Sequence, residues 1–127
     1  MPAHVIASVG SPRGGDGLAS AGADEVVVSS DDVKEPGDIV VESVGEVDLV
    51  TAWSLLAPGG SLQSVGWTSG ESAVFPPFTT VGTLKTLVPY VNEFVAADDL
   101  AELVRLVADG ARVPEIGRRV PGMAVFD

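Results

Sequence analysis

Apolar runs of strand length alternate along this chain with helix-like stretches and Gly-rich turns. The runs are His4-Val5-Ile6-Ala7-Ser8-Val9, Glu25-Val26-Val27-Val28, Asp38-Ile39-Val40-Val41-Glu42 and Ser61-Leu62-Gln63-Ser64-Val65. Near-continuous apolar runs, rather than alternating ones, mark strands of a parallel sheet covered on both faces. The pattern predicts strands over 4–9, 25–29, 38–43 and 61–66. A short helix over 14–21, weakened by Gly14, Gly15 and Gly17, is expected to stop at Gly22. The acidic turn Ser30-Asp31-Asp32 and the turn Glu35-Pro36-Gly37 separate the second strand from the third.

A helix over 47–56 follows, with Val47, Val50, Trp53 and Ala57 as its apolar face by their 3- and 4-residue spacing. Ala57-Pro58-Gly59-Gly60 is expected to end it. Residues 71–82, rich in Pro, Thr and Phe, read as a surface loop. Residues 83–91 read as an edge strand, because Pro89 lacks a ladder donor and Lys85 protects an edge. The clearest helix is 98–108, where Leu100, Leu103, Val104 and Val107 recur at 3 and 4 residues before Gly110. Residues 113–116 and 123–126 are short strand candidates. The fold class expected is α/β, a three-layer, mostly parallel sheet in a single domain over 1–127.

Composition narrows the partners. Hydrophobic residues make up 46% of the 127 and charged ones 20%, which suits a packed domain and not a disordered one. Eighteen acidic residues against 7 basic give a net charge of -11, which disfavours nucleic acid and anionic membrane surfaces as partners. With no cysteine the chain has neither a disulfide nor a thiolate nucleophile. No apolar stretch approaches the ~20 residues of a membrane span. Met1-Pro2-Ala3-His4 lacks the build of a signal peptide, so a cytoplasmic location is expected.

In parallel α/β sheets, ligands bind beyond the carboxyl ends of the strands. Three of the four runs end there in small-residue turns: Val9-Gly10-Ser11-Pro12, Ser43-Val44-Gly45 and Gly66-Trp67-Thr68-Ser69-Gly70. Each is a candidate ligand turn, and each also reads as a plain tight turn, with Trp67 capping the core. Gly15-x-Gly17-x-x-Ser20 follows a strand, as a phosphate-binding fingerprint must, with Asp31 or Asp32 as the matching ribose acid. Gly-Gly-x-Gly after a strand is more often a flexible turn. His4 has no nucleophile near it in sequence and reads as a surface residue. Asp31-Asp32 and Asp98-Asp99 read as turn and helix-start acids. With one His and no Cys, a zinc site is not expected. Tyr90 reads as a packed aromatic on the edge strand.

Gly22-Ala23-Asp24-Glu25-Val26-Val27, Asp38 to Gly45 (DIVVESVG) and Leu55-Leu56-Ala57-Pro58-Gly59-Gly60 together resemble the medium-chain dehydrogenase/reductase superfamily. The likeness is to the cofactor-binding half of its quinone oxidoreductase and zinc-type alcohol dehydrogenase-like members. Gly117 to Phe126 resembles that family's C-terminal return strand. The resemblance implies a Rossmann-like domain that carries NADP(H), works as an oxidoreductase domain and forms a homodimer, commonly by pairing sheets across the 83–91 edge. It places Ser8, Ser11 and Arg13 at the cofactor's 2′-phosphate, a site that an Arg with small hydroxyls and no acid would suit. An exposed Arg near a turn is the competing reading. It also places the backbone of Ser43, Val44, Gly45, Gly66, Trp67 and Thr68 against the ribose and nicotinamide.

Two departures from the family qualify these expectations. The family's first Rossmann strand, with its Gly-rich turn, would precede His4, as would its catalytic domain. A helix usually lies between the counterparts of Gly117 and the return strand. The expected state is therefore a truncated Rossmann-like domain, not catalytically complete alone. In it, residues 4–9 pair directly with 38–43, or a partner chain fills the gap. Two alternatives stay open: a non-catalytic, dimerising remnant of the fold, or a small α/β domain binding another phosphate ligand through Gly14 to Gly17.

Overall fold

The computed structural model describes residues 3–82, 84–90 and 97–114. The chain divides into one unit over Met1–Val91 and a second over Asn92–Asp127. In the first unit the order is β1 (Ile6–Ser8), β2 (Glu25–Val27), β3 (Gly37–Glu42), α1 (Glu46–Ser54), β4 (Leu56–Ser64) and β5 (Thr86–Pro89). Every strand pairing is parallel: β1 with β2, and β3 with β4 and β4 with β5. The α/β class and parallel pairing follow the sequence expectation.

The strands form two sheets, β1-β2 and β3-β4-β5. The expected direct pairing of residues 4–9 with 38–43 is not made among the described residues. The local connections explain why. Asp24 and Glu25 donate backbone N–H groups to the Val5 carbonyl, which locks β2 onto β1. The N–H of Gly37 bonds the Leu55 carbonyl at 2.8 Å, which delivers β3 to β4. β3 then runs along β4 from Ile39 opposite Ser61 to Glu42 opposite Ser64, after a register shift between Gly37 and Ile39. That irregularity absorbs Pro58, Gly59 and Gly60, so the expected helix stop is instead the first half of β4.

α1 packs one face of this sheet. Leu49, Ala52, Trp53, Leu56 and Leu62 are buried together, with Val40, Ala73 and Phe75 against them. The buried stripe is therefore Leu49-Ala52-Trp53 and not the expected Val47-Val50-Trp53-Ala57. Val47 is 63% exposed. Both stripes have helical spacing, and the one carrying Leu49 meets Leu62 at the sheet centre. Trp53 extends this core outward. Its Nε1 donates to the Thr79 carbonyl at 3.0 Å, Phe75 meets it edge-on at 6.1 Å, and Lys85 Nζ donates to the Trp53 carbonyl at 3.0 Å. The Lys85 ammonium also lies 5.9 Å from the Trp53 ring centroid, within cation–π range. The 71–82 loop is thus held to α1 by one indole.

The expected helix over 14–21 does not form. Pro12–Gly15 is a single 3-10 turn capped by Ser11, followed by turns as far as Gly22. Three glycines in four positions cost too much backbone entropy for a helix to hold. Tyr90 is exposed rather than packed. His4 is exposed, as expected, and donates toward the Glu25 carboxylate at 2.9 Å with Asp24 at 3.7 Å.

In the second unit, α2 (Ala97–Ala108) matches the expected helix and ends at Gly110. Arg105 pairs with Glu102 and Asp109 on one side, while Leu100, Leu103, Val104 and Val107 form an exposed stripe. Thr83, Val91, the second half of the 113–116 candidate, the 123–126 candidate and Gly117 to Phe126 lie outside the described residues.

Two measurements check this packing. Leu62 is fully buried, so Leu62→Ala is expected to cost about 2–5 kcal/mol in denaturant unfolding. Ile39→Ala, at a position 70% exposed, should stay within about 0.5 kcal/mol. The hydrogen bond to Glu25, helped by the charge of Asp24, raises the His4 pKa above its ordinary 6.5. The pair's contribution is fully present below 6.5 and fades as pH rises through the folded value. An NMR titration should place His4 above 6.5 in the wild type and closer to it in Glu25→Gln.

Candidate functional site

The carboxyl ends of β3 and β4 bring two of the sequence-predicted turns into contact. The Val65 N–H donates to the Glu42 carbonyl at 2.8 Å, Thr68 N–H to Ser43 at 3.1 Å and Ser69 N–H to Val44 at 2.9 Å. The turn after β4 therefore continues along the turn after β3. Gly66 makes the approach possible, since a Cβ there would lie 2.9 Å from the Ser43 carbonyl oxygen. Ser43, Val44 and Gly45 thus form one surface with Gly66, Trp67 and Thr68.

Gly45 is the hinge of that surface. Its φ of 82° and ψ of -157° fall in a region open essentially to glycine alone. A Cβ at Gly45 would also sit 2.7 Å from the Trp67 ring, which leans on this residue. The Trp67 indole N–H is tied to the Glu71 carbonyl, and the side chain stays 46% exposed at the crevice. α1 starts immediately afterwards, at Glu46. Beside it, Glu46, Val47, Val50, Ser72, Val74 and Pro76 line an open groove of about 370 Å³.

Glu42 is the site residue that the sequence reading missed. It is 7% exposed, and its Oε1 accepts from the N–H groups of Val44 at 2.5 Å and Gly45 at 2.9 Å. Its Oε2 is buried with no partner among the described residues. The signal was present: an acid closing an apolar run, two and three residues before a turn whose amides need an acceptor. Together, Glu42, Thr68 and Ser69 engage the amides of Val44 and Gly45 and the carbonyls of Ser43 and Val44. A carbonyl keeps a second lone pair and an N–H has no second proton, so the surface can still accept hydrogen bonds.

Ser8, Ser11 and Arg13 sit at the carboxyl end of β1, in the other sheet. Ser8 ends the strand and is exposed. Ser11 Oγ accepts from Gly14 N–H at 3.3 Å and caps the 3-10 turn, while Arg13 projects from that turn without an ion pair among the described residues. The Gly14–Gly17 stretch opens no helix, so the fingerprint lacks the context it requires. Asp31 and Asp32 form a turn capped by Ser29. Among the described residues no group of three metal-ligating side chains comes together, and no helix is long and apolar enough to cross a membrane.

Comparison with solved structures places this architecture. The D-arabinose dehydrogenase of Sulfolobus solfataricus superposes with a TM-score of 0.77 at 24% identity, over 93% of this chain and 38% of that one. YhdH of E. coli K-12, solved with bound NADPH, gives 0.65 at 21% identity, over 84% and 35%. The nucleotide-binding subdomain of the enoylreductase domain of PpsC from Mycobacterium tuberculosis gives 0.60 at 17%, over 84% and 69%. The chain has the fold of the matched parts of these proteins. It spans a little over a third of the two longer proteins. No protein-family model and no curated protein matches it.

Gly45→Ala tests the hinge. Backbone strain and the overlap with Trp67 are expected to cost about 1–3 kcal/mol in thermal unfolding and to shift Trp67 emission. Gly70→Ala, where a Cβ meets nothing within 4 Å, serves as a control for positive φ alone.

Proposed function

We propose that this chain is the nicotinamide-dinucleotide-binding part of an oxidoreductase of the quinone oxidoreductase or alcohol dehydrogenase-like type. The observation that carries the reading is the joined surface of Ser43-Val44-Gly45 and Gly66-Trp67-Thr68 at the carboxyl ends of two parallel strands. That is where a doubly wound sheet holds its ligand. The likeness to NADPH-bound YhdH supports the same ligand class.

The residues fit such a cofactor. The acceptor-rich turn suits ribose hydroxyls and a carboxamide, the half-exposed Trp67 offers an aromatic wall, and the groove beside α1 opens next to it. When bound, the nicotinamide supplies hydride chemistry. The chain's own part is to hold and orient that ring. Ser8, Ser11 and Arg13 are assigned to the 2′-phosphate, so NADPH is preferred over NADH. The exposed Arg13 guanidinium, without an ion pair among the described residues, supports this assignment because it can meet phosphate oxygens in bidentate fashion.

The chain is also proposed to form a homodimer. Among the described residues β3 and β5 are the edge strands of their sheet, and Ile39 and Val41 of β3 are 70% and 68% exposed. Apolar side chains next to unpaired backbone groups favour pairing with a second copy. A non-catalytic, dimerising module is the second reading, and these open edges favour it.

Titration of NADPH and NADH, followed by Trp67 fluorescence with Trp53 replaced by Phe, separates the two readings. NADPH is expected to bind the tighter. Arg13→Ala should weaken it about tenfold while changing NADH less than about twofold. Tight NADH binding indifferent to Arg13→Ala would overturn the phosphate assignment. Light scattering checks the dimer, and a monomeric mass at micromolar concentration would rule it out.

A further inference from the structure

In an Asp-Gly pair the aspartate carboxyl can reach the next backbone nitrogen with little obstruction, because glycine has no side chain. The chain contains two such pairs, Asp16-Gly17 between β1 and β2 and Asp109-Gly110 after α2. Both glycines have a positive φ, 82° and 71°. All four residues are exposed, so access to water does not separate the pairs. Their hydrogen bonding does.

Among the described residues, the peptide plane between Asp16 and Gly17 carries no hydrogen bond, at its C=O or at its N–H. The Asp16 carboxylate has no ion pair there either, and a Cβ on Gly17 would meet nothing within 4 Å. Asp109 is held by three bonds. The Gly110 N–H donates to the Val107 carbonyl at 3.1 Å and the Asp109 N–H to the Arg105 carbonyl at 2.9 Å. The Asp109 carboxylate accepts from Arg105 Nη1 at 2.8 Å.

We propose that Asp16-Gly17 is a site of spontaneous rearrangement to isoaspartate, left open by the fold, whereas Asp109-Gly110 is closed by it. The Gly17 nitrogen attacks Asp16 Cγ and an N–C bond forms. The amide hydrogen and the carboxyl O–H leave together as water, giving a five-membered succinimide. Water then adds back at either ring carbonyl. Opening at Cγ restores aspartate, and opening at the former main-chain carbonyl gives isoaspartate, with no atom gained or lost overall. Asp16 has a ψ of 125°, so closure requires the 16–17 plane to swing toward Cγ. A plane without hydrogen bonds is free to do so. The Asp109-Gly110 plane must first break its bond to Val107, and the Asp109 carboxylate must leave Arg105.

The product lengthens the main chain by one carbon inside the turn that Leu18 N–H closes onto the Gly15 carbonyl at 3.2 Å. The former main-chain carbonyl becomes an exposed carboxylate, and the net charge stays the same. An isoaspartyl methyltransferase can label that carboxylate.

The test ages the full chain at neutral pH, folded and in parallel in urea. Peptide mapping, with transfer of a labelled methyl group by isoaspartyl methyltransferase, reads each site. In urea the two sites should react at similar rates, since glycine follows both. In the folded chain Asp16 should keep most of that rate, while Asp109 is slowed about tenfold by its hydrogen bond and ion pair. Equal rates at the two sites in the folded chain would overturn the proposal, as would the absence of isoaspartate at position 16. Asp16→Glu, whose ring would need a sixth member, should remove the signal from that peptide, and its persistence would also overturn the assignment.

Discussion

The first unit depends on the burial of α1 against β4. Leu62 lies at the middle of the three-stranded sheet, and Leu49, Ala52 and Trp53 cover it from the helix. This one apolar contact fixes where α1 begins, and so the direction in which the β3 turn faces. Trp53 then carries the constraint outward to Thr79, Phe75 and Lys85. A stretch with no regular structure of its own is held in place by hydrogen bonds and ring contacts to a single buried side chain.

Much of this was readable in the chain. The valine-rich runs named the strands because two-sided burial needs few polar residues, and Gly110 and the 3- and 4-residue spacing named α2. What escaped reading was tertiary. Val47-Val50 and Leu49-Ala52-Trp53 are both credible helical stripes, and only the position of Leu62 decides between them. Pro58-Gly59-Gly60 looks like a full stop in isolation. It is instead the start of β4, because the β3 register shifts to accommodate it.

The crevice shows the same division. The small-residue turns at 43–45 and 66–68 were visible as turns at strand ends, and their juxtaposition follows from parallel pairing of β3 with β4. Glu42 was easily passed over, because a lone acid in a valine-rich run looks like the solvent-facing edge of a strand. Its burial emerges only once the next two amides turn back on its carboxylate. The Gly14–Gly17 stretch is the reverse case, a pattern with the letters of a phosphate loop but no helix behind it.

The division into two sheets has an energetic consequence. β1 and β2 share a ladder of three residue pairs, whereas β3, β4 and β5 are joined through a strand of nine residues over a packed helix. Among the described residues no ladder couples the two sheets, so the smaller can open locally at low free energy while the larger stays closed. Ser8 and Arg13 ride on the smaller sheet and Gly45 and Trp67 on the larger. A molecule long enough to touch both would act as a strut between the two sheets. Part of its binding free energy would be spent on suppressing their relative motion, and amide exchange in β1 and β2 would slow when it bound.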